Sequence, residues 1–207
     1  MSRQRTGPML VAVALGATAA LVFAGTAAPA TIQDLDVDKS RGRYELVAAA
    51  FLDAPPKAIY DVLVDYEDNR FGRISSVYKE SDYLEPAADG TPIVYTRMEG
   101  CLMFYCVSME RVERLEAKEP YFIRTVTLPE RSDFTHSVSE WTLVPEGNGT
   151  RMIYRLEMEP DFFVPPVIGP WSLQRTLSKG GIRAVNRIER LAKEIETVSA
   201  DHGALAH

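Results

Sequence analysis

The spacing of apolar residues changes midway through Tyr44–Tyr66, and this change predicts a strand followed at once by a short helix. The strand ends near Asp53. Pro55 and Pro56 suit a first helical turn, where a missing N–H costs nothing, with Asp53 or Ala54 at the cap. The apolar residues at i, i+3, i+4 and i+7 of the helix are Ile59, Val62, Leu63 and Tyr66. One helix face is therefore apolar and suited to packing on a sheet.

Six further strand-like runs follow, separated by turn residues. Asp89-Gly90 is a strong hairpin signal, and the glycines of 146–149 predict another turn. Bulky residues alternate with charged ones in the last run, as in an antiparallel strand with one side facing solvent. The runs are Ser75–Leu84, Thr91–Glu99, Leu102–Glu116, Tyr121–Leu128, Ser137–Val144 and Thr150–Met158. With the strand of residues 44–53, they predict about seven strands.

A long C-terminal helix is predicted for residues 171–198. Its apolar stripe comprises Leu173, Leu177, Ile182, Val185, Ile188, Leu191 and Ile195. Gly180-Gly181 should bend or loosen this helix, because two glycines cost about 2 kcal/mol of helix propensity. We expect residues 67–74 to hold a second short helix, 31–42 to be a linker or an irregular first edge, and 199–207 to be a disordered tail.

The first thirty residues have the pattern of a secretory signal peptide. Arg3 and Arg5 precede an apolar run from Met9 to Ala24, and Ala28-Pro-Ala30 offers a cleavage site with small residues. The run is short for a bilayer span, which usually needs about 20 residues, so an uncleaved membrane anchor is the main alternative. The expected location is therefore outside the cytoplasm, with the periplasm favoured over anchorage at a membrane.

Composition and charge narrow the class of partner. The 207 residues are 46% hydrophobic and 25% charged, as in a folded soluble domain, with a net charge of −6. Removal of residues 1–30 takes away two arginines and no acid, which leaves a net charge of −8. An acidic domain repels phosphate backbones, so we expect no nucleic-acid partner. We expect a monomer.

Two cysteines, Cys101 and Cys106, would lie in this exported domain, where oxidation is permitted. Five residues of extended strand would separate their Cα atoms by about 16 Å, whereas a disulfide tolerates roughly 7 Å. A bridge therefore requires a turn between them, and the alternative is two small buried hydrophobic residues. We expect no metal site, because His136 is the one histidine inside the predicted domain, and two cysteines without further ligands do not make a zinc site. We also expect no cofactor.

The order of a strand, short helices, six antiparallel strands and a long helix resembles the START-like superfamily, also called polyketide cyclase/dehydrase and lipid transport. The nearest branch is the coenzyme Q-binding START-domain type. The resemblance covers roughly residues 43–197 and is carried by Ala54–Tyr66, Ser139–Pro145, Gly149–Leu156 and Arg187–Lys193. It implies an α+β helix-grip fold, in which a curved antiparallel sheet surrounds the C-terminal helix, and a ligand-binding domain at 43–198.

The resemblance also implies an apolar cavity between the sheet and the last helix. Methionines are numerous among the candidate lining residues and adapt well to irregular ligands. Taken singly, each candidate is more commonly an ordinary core residue. The candidates are Met98, Met103, Phe104, Val107, Met109, Phe122, Trp141, Met152, Tyr154, Leu156, Leu177 and Val185.

An apolar segment broken by prolines, Phe162–Ile168, interrupts the pattern before the last helix. Prolines exclude it from a central strand. Two interpretations remain: the segment folds inward as a plug, which we favour, or it forms an exposed lip that touches a membrane through Phe162 and Phe163.

Catalytic residues are not evident. His136 has a serine and an aspartate nearby in sequence, but neighbours in one loop do not form a triad. Strand alternation points most of the charged candidates, Glu99, Glu110, Arg124 and Glu140, towards solvent. We therefore expect binding or carriage of a small hydrophobic molecule, such as a lipid, an isoprenoid or a quinone. The alternatives are a cyclase- or dehydratase-like enzyme using the same cavity and a protein-interaction module with a filled core.

Overall fold

The computed structural model describes residues 31–40, 42–102, 105–163 and 170–204, with side chains described for 42–101, 106–163 and 180–198. The predicted signal peptide, residues 1–30, lies outside the described residues. The strands are β1 Thr31–Ser40, β2 Arg43–Leu52, β3 Tyr78–Leu84, β4 Ile93–Leu102, β5 Tyr105–Lys118, β6 Phe122–Thr127, β7 Phe134–Glu146 and β8 Gly149–Pro160. The helices are α1 Pro56–Leu63 and α2 Pro170–Ala204, with 3₁₀ turns at Glu67–Arg73 and Pro129–Arg131.

All eight strands form one antiparallel sheet in the order β1-β2-β8-β7-β6-β5-β4-β3. The seven predicted strands correspond to β2–β8, and both predicted short helices lie between β2 and β3. The sheet curves, and its inner face packs against α1 and α2. The predicted α+β helix-grip fold is therefore confirmed.

Packing of α1 onto the sheet and α2 forms the core at one end of the molecule. Ile59, Leu63 and Tyr66 are almost completely buried, as the helical spacing predicts. Val185 and Leu191 of α2 belong to the same buried cluster. Pro55, rather than Asp53 or Ala54, is the residue that caps α1, and no side chain accepts a hydrogen bond from its first turn.

Asp53 instead joins the β2–α1 turn to α2. Its backbone N–H donates to the carboxylate of Glu189 at 2.9 Å. The ammonium of Lys193 donates to the carboxylates of both Asp53, at 2.9 Å, and Glu189, at 3.1 Å. This network holds α2 against the segment that connects β2 to α1.

Two segments differ from the predictions. Residues 31–40, expected to be a linker or an irregular first edge, form β1 and pair with β2. The register shifts between Ile32 and Asp34. Because this shift interrupts the alternation of apolar residues, the sequence pattern does not predict the strand. Helix α2 continues through Gly180 and Gly181 and past Val198 to Ala204, so residues 199–204 of the predicted disordered tail are helical. Among the helices of the described residues, none has both the length and the apolar character needed to cross a bilayer.

Candidate functional site

Two charged residues of β5 lie on the inner face of the sheet. Arg111 and Glu113 share one face with Met109 and Leu115, because alternate residues of a strand point the same way. The exposed fraction is 5% for Arg111 and 1% for Glu113. Charged side chains are rarely buried so deeply unless they form an ion pair or serve in binding or catalysis.

The two side chains form a buried ion pair. Nε of Arg111 lies 3.2 Å from Oε2 of Glu113, close enough for attraction, but it makes no aligned hydrogen bond within the described residues. Another guanidinium nitrogen donates to the hydroxyl of Ser137 at 3.4 Å. The Thr125 hydroxyl donates to Oε1 of Glu113 at 2.9 Å. The carboxylate is thus supported from two sides, while the guanidinium keeps donors that other groups could use.

Hydroxyl groups surround this pair. Thr96 is the direct partner of Arg111 across β4–β5, and Thr127 is the partner of Glu113 across β5–β6. Both threonine hydroxyls are buried and have no hydrogen-bond partner in the part of the chain that the structure describes. We call the complete set the inner polar cluster, which comprises Tyr78, Thr96, Arg111, Glu113, Thr125, Thr127, Ser137, Ser139 and Tyr154.

The surroundings keep Arg111 charged and the tyrosines neutral. Burial lowers the pKa of Arg111, but the Glu113 carboxylate and the hydroxyls of Tyr78 and Tyr154 raise this pKa by more, so the net shift is upward. Burial raises the pKa of Tyr154 and of Tyr78. The cluster therefore surrounds the Arg111–Glu113 ion pair with several uncharged hydroxyls.

Apolar and aromatic residues flank the cluster. Trp141 stacks on Tyr154 with ring centroids 4.8 Å apart, and the hydroxyl of Tyr154 lies 3.5 Å from that of Ser139. Met152 and Leu143, at the α1 end of the inner face, are buried. By contrast, the side chains towards the other end are partly accessible, namely Val107, Met109, Tyr154, Leu156 and Met158. Among the described residues, the side chains of the inner face are thus buried at the α1 end and partly accessible towards the opposite end.

The predicted lining residues divide into several groups. Met98, Trp141, Met152 and Val185 are buried, and Val107, Met109, Tyr154 and Leu156 are partly buried. Phe122 lies on the outer face of β6, because the alternate residues Ile123, Thr125 and Thr127 are the buried ones. Met103 and Phe104, as well as the side chain of Leu177, lie outside the described residues.

The Pro-broken segment has features of both interpretations at its start. Phe162 packs edge-on against buried Phe134, with ring centroids 6.1 Å apart, as a plug would. The exposed fraction of Phe163 is 72%. Residues 164–169 lie outside the described residues.

Cys101 and Cys106 form a disulfide, with Cα atoms 4.0 Å apart. They are direct partners across the β4–β5 hairpin, which supplies the turn that a bridge requires. Both cysteines are exposed, unlike a pair of buried hydrophobic residues. A surface depression of about 360 Å³ lies beside the bridge, lined by Lys79, Glu99 and Ser108 among others, and it contains no residue of the inner polar cluster.

The charged candidates considered from the sequence lie away from the cluster. Glu99 and Glu110 are exposed, and Arg124 forms ion pairs with Glu116 and Glu140 on the outer face. His136 lies 3.6 Å from Glu157. Within the described residues, no group of three or more His, Cys, Asp and Glu side chains could hold a metal ion.

Sequence reasoning missed Arg111 and Glu113, although a signal was present. Both have the same odd-numbered phase as Met109 and Leu115, which a half-buried strand would turn inward. Ser137 and Ser139 likewise share the phase of Trp141. A strict alternation count would have placed charges and hydroxyls inside the sheet.

Comparison with known families gives one match. The sequence pattern of the family described as "Polyketide cyclase / dehydrase and lipid transport" matches residues 43–196, from the first residue of β2 into the C-terminal part of α2. No curated protein matches the chain.

Solved structures with the same fold come from several organisms. A START superfamily protein from Mycobacterium smegmatis has 20% identity and a TM-score of 0.56, and the match covers 71% of this chain and 98% of that one. A STAR-related lipid transfer protein from Xanthomonas axonopodis has 18% identity, a TM-score of 0.56 and coverage of 75% and 98%. The Zhui aromatase/cyclase from Streptomyces sp. R1128 has 13% identity, a TM-score of 0.54 and coverage of 73% and 94%. At these identities the likeness concerns the fold alone.

Proposed function

The chain belongs to the polyketide cyclase/dehydrase and lipid transport family, and from this premise we propose that its inner face binds a small hydrophobic molecule carrying a polar group. The polar group would contact the inner polar cluster, and the apolar body would lie along the partly accessible side chains beyond it. A lipid, an isoprenoid or a quinone has this combination of parts. The solved relatives named above include a lipid transfer protein and an aromatase/cyclase.

The observation that carries the proposal is the buried pair of Arg111 and Glu113 beside two buried hydroxyls, those of Thr96 and Thr127, that have no partner in the described residues. Burying two charges costs several kcal/mol per ion after relaxation, and well-packed apolar residues would be at least as stable. Buried, perturbed ionisable groups cluster at functional sites. A ligand that supplies hydrogen bonds gives this arrangement a use. A filled apolar core, as in an interaction module, would not require it.

The apolar part of the site can supply most of the affinity. A ligand that buries about 300 Å² of apolar surface gains roughly 7 kcal/mol at about 25 cal/mol per Å², before the costs of association. Trp141 and Met109 offer a flat aromatic surface and a flexible one, which together suit an irregular hydrocarbon. The polar cluster would then fix the ligand's orientation.

Native mass spectrometry and lipid extraction of the protein purified from its own host test the proposal. We expect an apolar molecule with at least one oxygen-containing group to co-purify with the wild type. It should be lost from an Arg111→Met/Glu113→Met double variant and retained by Arg97→Met, a matched control because Arg97 pairs with Glu80 and Glu99 outside the cluster. No co-purifying molecule, together with no binding of quinone or fatty-acid probes, would refute it.

A second candidate is a cyclase- or dehydratase-like reaction at the same site. It is favoured by the Glu113 carboxylate and the Tyr154 hydroxyl, which provide acid–base groups on the inner face. Incubation with a β-hydroxyketone distinguishes the two functions. An enzyme would release a product lighter by one water, whereas a binding protein would return the compound unchanged.

We also propose that the domain works outside the cytoplasm. The basic and apolar pattern of residues 1–30 supports export, and so does the Cys101–Cys106 disulfide, since such bridges persist in oxidising compartments. Intact mass of the protein from its own host checks this directly. The chain should lack residues 1–30 and both thiol hydrogens; a full-length, reduced protein in the cytoplasm would contradict export.

Transient membrane contact through Phe163 completes the proposal. Since this side chain is largely exposed just after the end of β8, Phe163→Ser should slow transfer of a quinone probe between vesicles about tenfold and leave the melting temperature nearly unchanged. Tyr121→Ser is the control, because Tyr121 is an exposed aromatic residue at the opposite end of the sheet. Equal transfer rates for the two variants would contradict membrane contact at Phe163.

A further inference from the structure

We infer that the polar end of the ligand is uncharged and carries a carbonyl, hydroxyl or amide group rather than a carboxylate or phosphate. The inference rests on the proposed function and specifies its ligand class. It follows from the charge balance of the inner polar cluster and from the kind of hydrogen-bonding groups that the cluster leaves unused.

The charges of the cluster cancel. Arg111 contributes one positive charge and Glu113 one negative charge at 3.2 Å separation. The other members are serine, threonine and tyrosine hydroxyls, and burial keeps those of Tyr78 and Tyr154 protonated near neutral pH. An anionic ligand would therefore bring an unbalanced negative charge into a buried site beside a carboxylate. Such a charge costs much more in a protein interior than at the surface.

The unused hydrogen-bonding groups suit a neutral ligand. The hydroxyls of Thr96 and Thr127 can each donate and accept, and they lie on the two sides of the Arg111–Glu113 pair. A carbonyl oxygen can accept from Arg111 or from a threonine, while a hydroxyl or amide hydrogen can be donated to a threonine oxygen. A carboxylate accepts hydrogen bonds but cannot donate them, so it would use the hydroxyl hydrogens of the two threonines and leave their oxygens without a donor.

Dodecanamide and dodecanoate are suitable probes, because they have the same length and shape and differ in charge near neutral pH. Binding of both to the full chain is measured by calorimetry. We expect the wild type to bind dodecanamide at least about tenfold more tightly than dodecanoate. Glu113→Gln leaves Arg111 as an unbalanced cation, and Gln can still accept from Thr125. This variant should therefore reverse the preference by about tenfold or more.

Glu110→Gln is the matched control, since Glu110 is exposed on the same strand. It should keep the wild-type preference. The inference is overturned, while the proposed function stands, if the wild type binds dodecanoate as tightly as dodecanamide, or if Glu113→Gln folds and keeps the wild-type order. If Glu113→Gln does not fold, the relative affinities of the wild type for dodecanamide and dodecanoate alone decide whether the inference holds. If neither probe binds the wild type, no quinone probe binds and no apolar molecule co-purifies, the proposed function itself fails.

Discussion

Glu113→Ala should lower the free energy of unfolding by about 3–5 kcal/mol, the largest loss that we expect from a single removal of a polar group. The substitution removes the carboxylate that pairs with Arg111, a residue of which only 5% is exposed. It also takes away the acceptor of the Thr125 hydroxyl. Urea denaturation followed by circular dichroism measures the effect. Glu110→Ala is the control and should change stability by about 0.5 kcal/mol or less, because its side chain is exposed.

Replacing both members of the pair separates stability from function. In Arg111→Met/Glu113→Met neither charge remains to be buried, and methionine is flexible enough to fill the space. This double variant should therefore unfold within about 1 kcal/mol of the wild type, or at higher urea, and should lose the co-purifying ligand. If it is as unstable as Glu113→Ala, the pair supports the fold rather than a ligand, and the main support for the proposed function disappears.

Most of the fold was predictable because its periodicities are strong. The i, i+3, i+4 spacing in α1 and the alternation in β8 each correspond to a face that the structure buries or half-buries. The strand β1 was not predictable in this way. Its register shift between Ile32 and Asp34 interrupts the alternation, and its pairing depends on the edge of β2, which is a long-range contact.

The centre of the candidate site was hidden for a different reason. Val112, between Arg111 and Glu113, is an apolar residue buried on the outer face of β5, so apolar residues occur in both phases of this strand and weaken the signal of the odd-numbered phase. Charged residues in strands are usually solvated, and that rule was correct for Glu110, Arg124 and Glu140. The rule was wrong for Arg111 and Glu113, whose charged side chains are buried on the inner face. Departures from local rules of this kind are expected at functional sites.

The close approach of β8 to β2 gives the other large prediction. The backbone of Gly149 leaves no room for a side chain, because an added Cβ would overlap the carbonyl oxygen of Leu52 and lie 2.8 Å from Cζ of Phe51. The next residue, Thr150, donates its hydroxyl to the carbonyl of Ala54 at 2.7 Å, so the strand cannot move away without losing this bond. The segment between β2 and α1 also includes Asp53, whose carboxylate accepts a hydrogen bond from Lys193 of α2.

Gly149→Ala should therefore destabilise the protein by about 3 kcal/mol or more, because a backbone carbonyl must shift rather than a flexible side chain. For a chain of this size the melting temperature should fall by about 6–12 °C. Gly100→Ala is the matched control: its added Cβ would meet no atom within 4 Å, so the melting temperature should hardly change. Differential scanning calorimetry compares the two, and equal melting temperatures would show that β2 and β8 are less closely packed at Gly149 than the structure indicates.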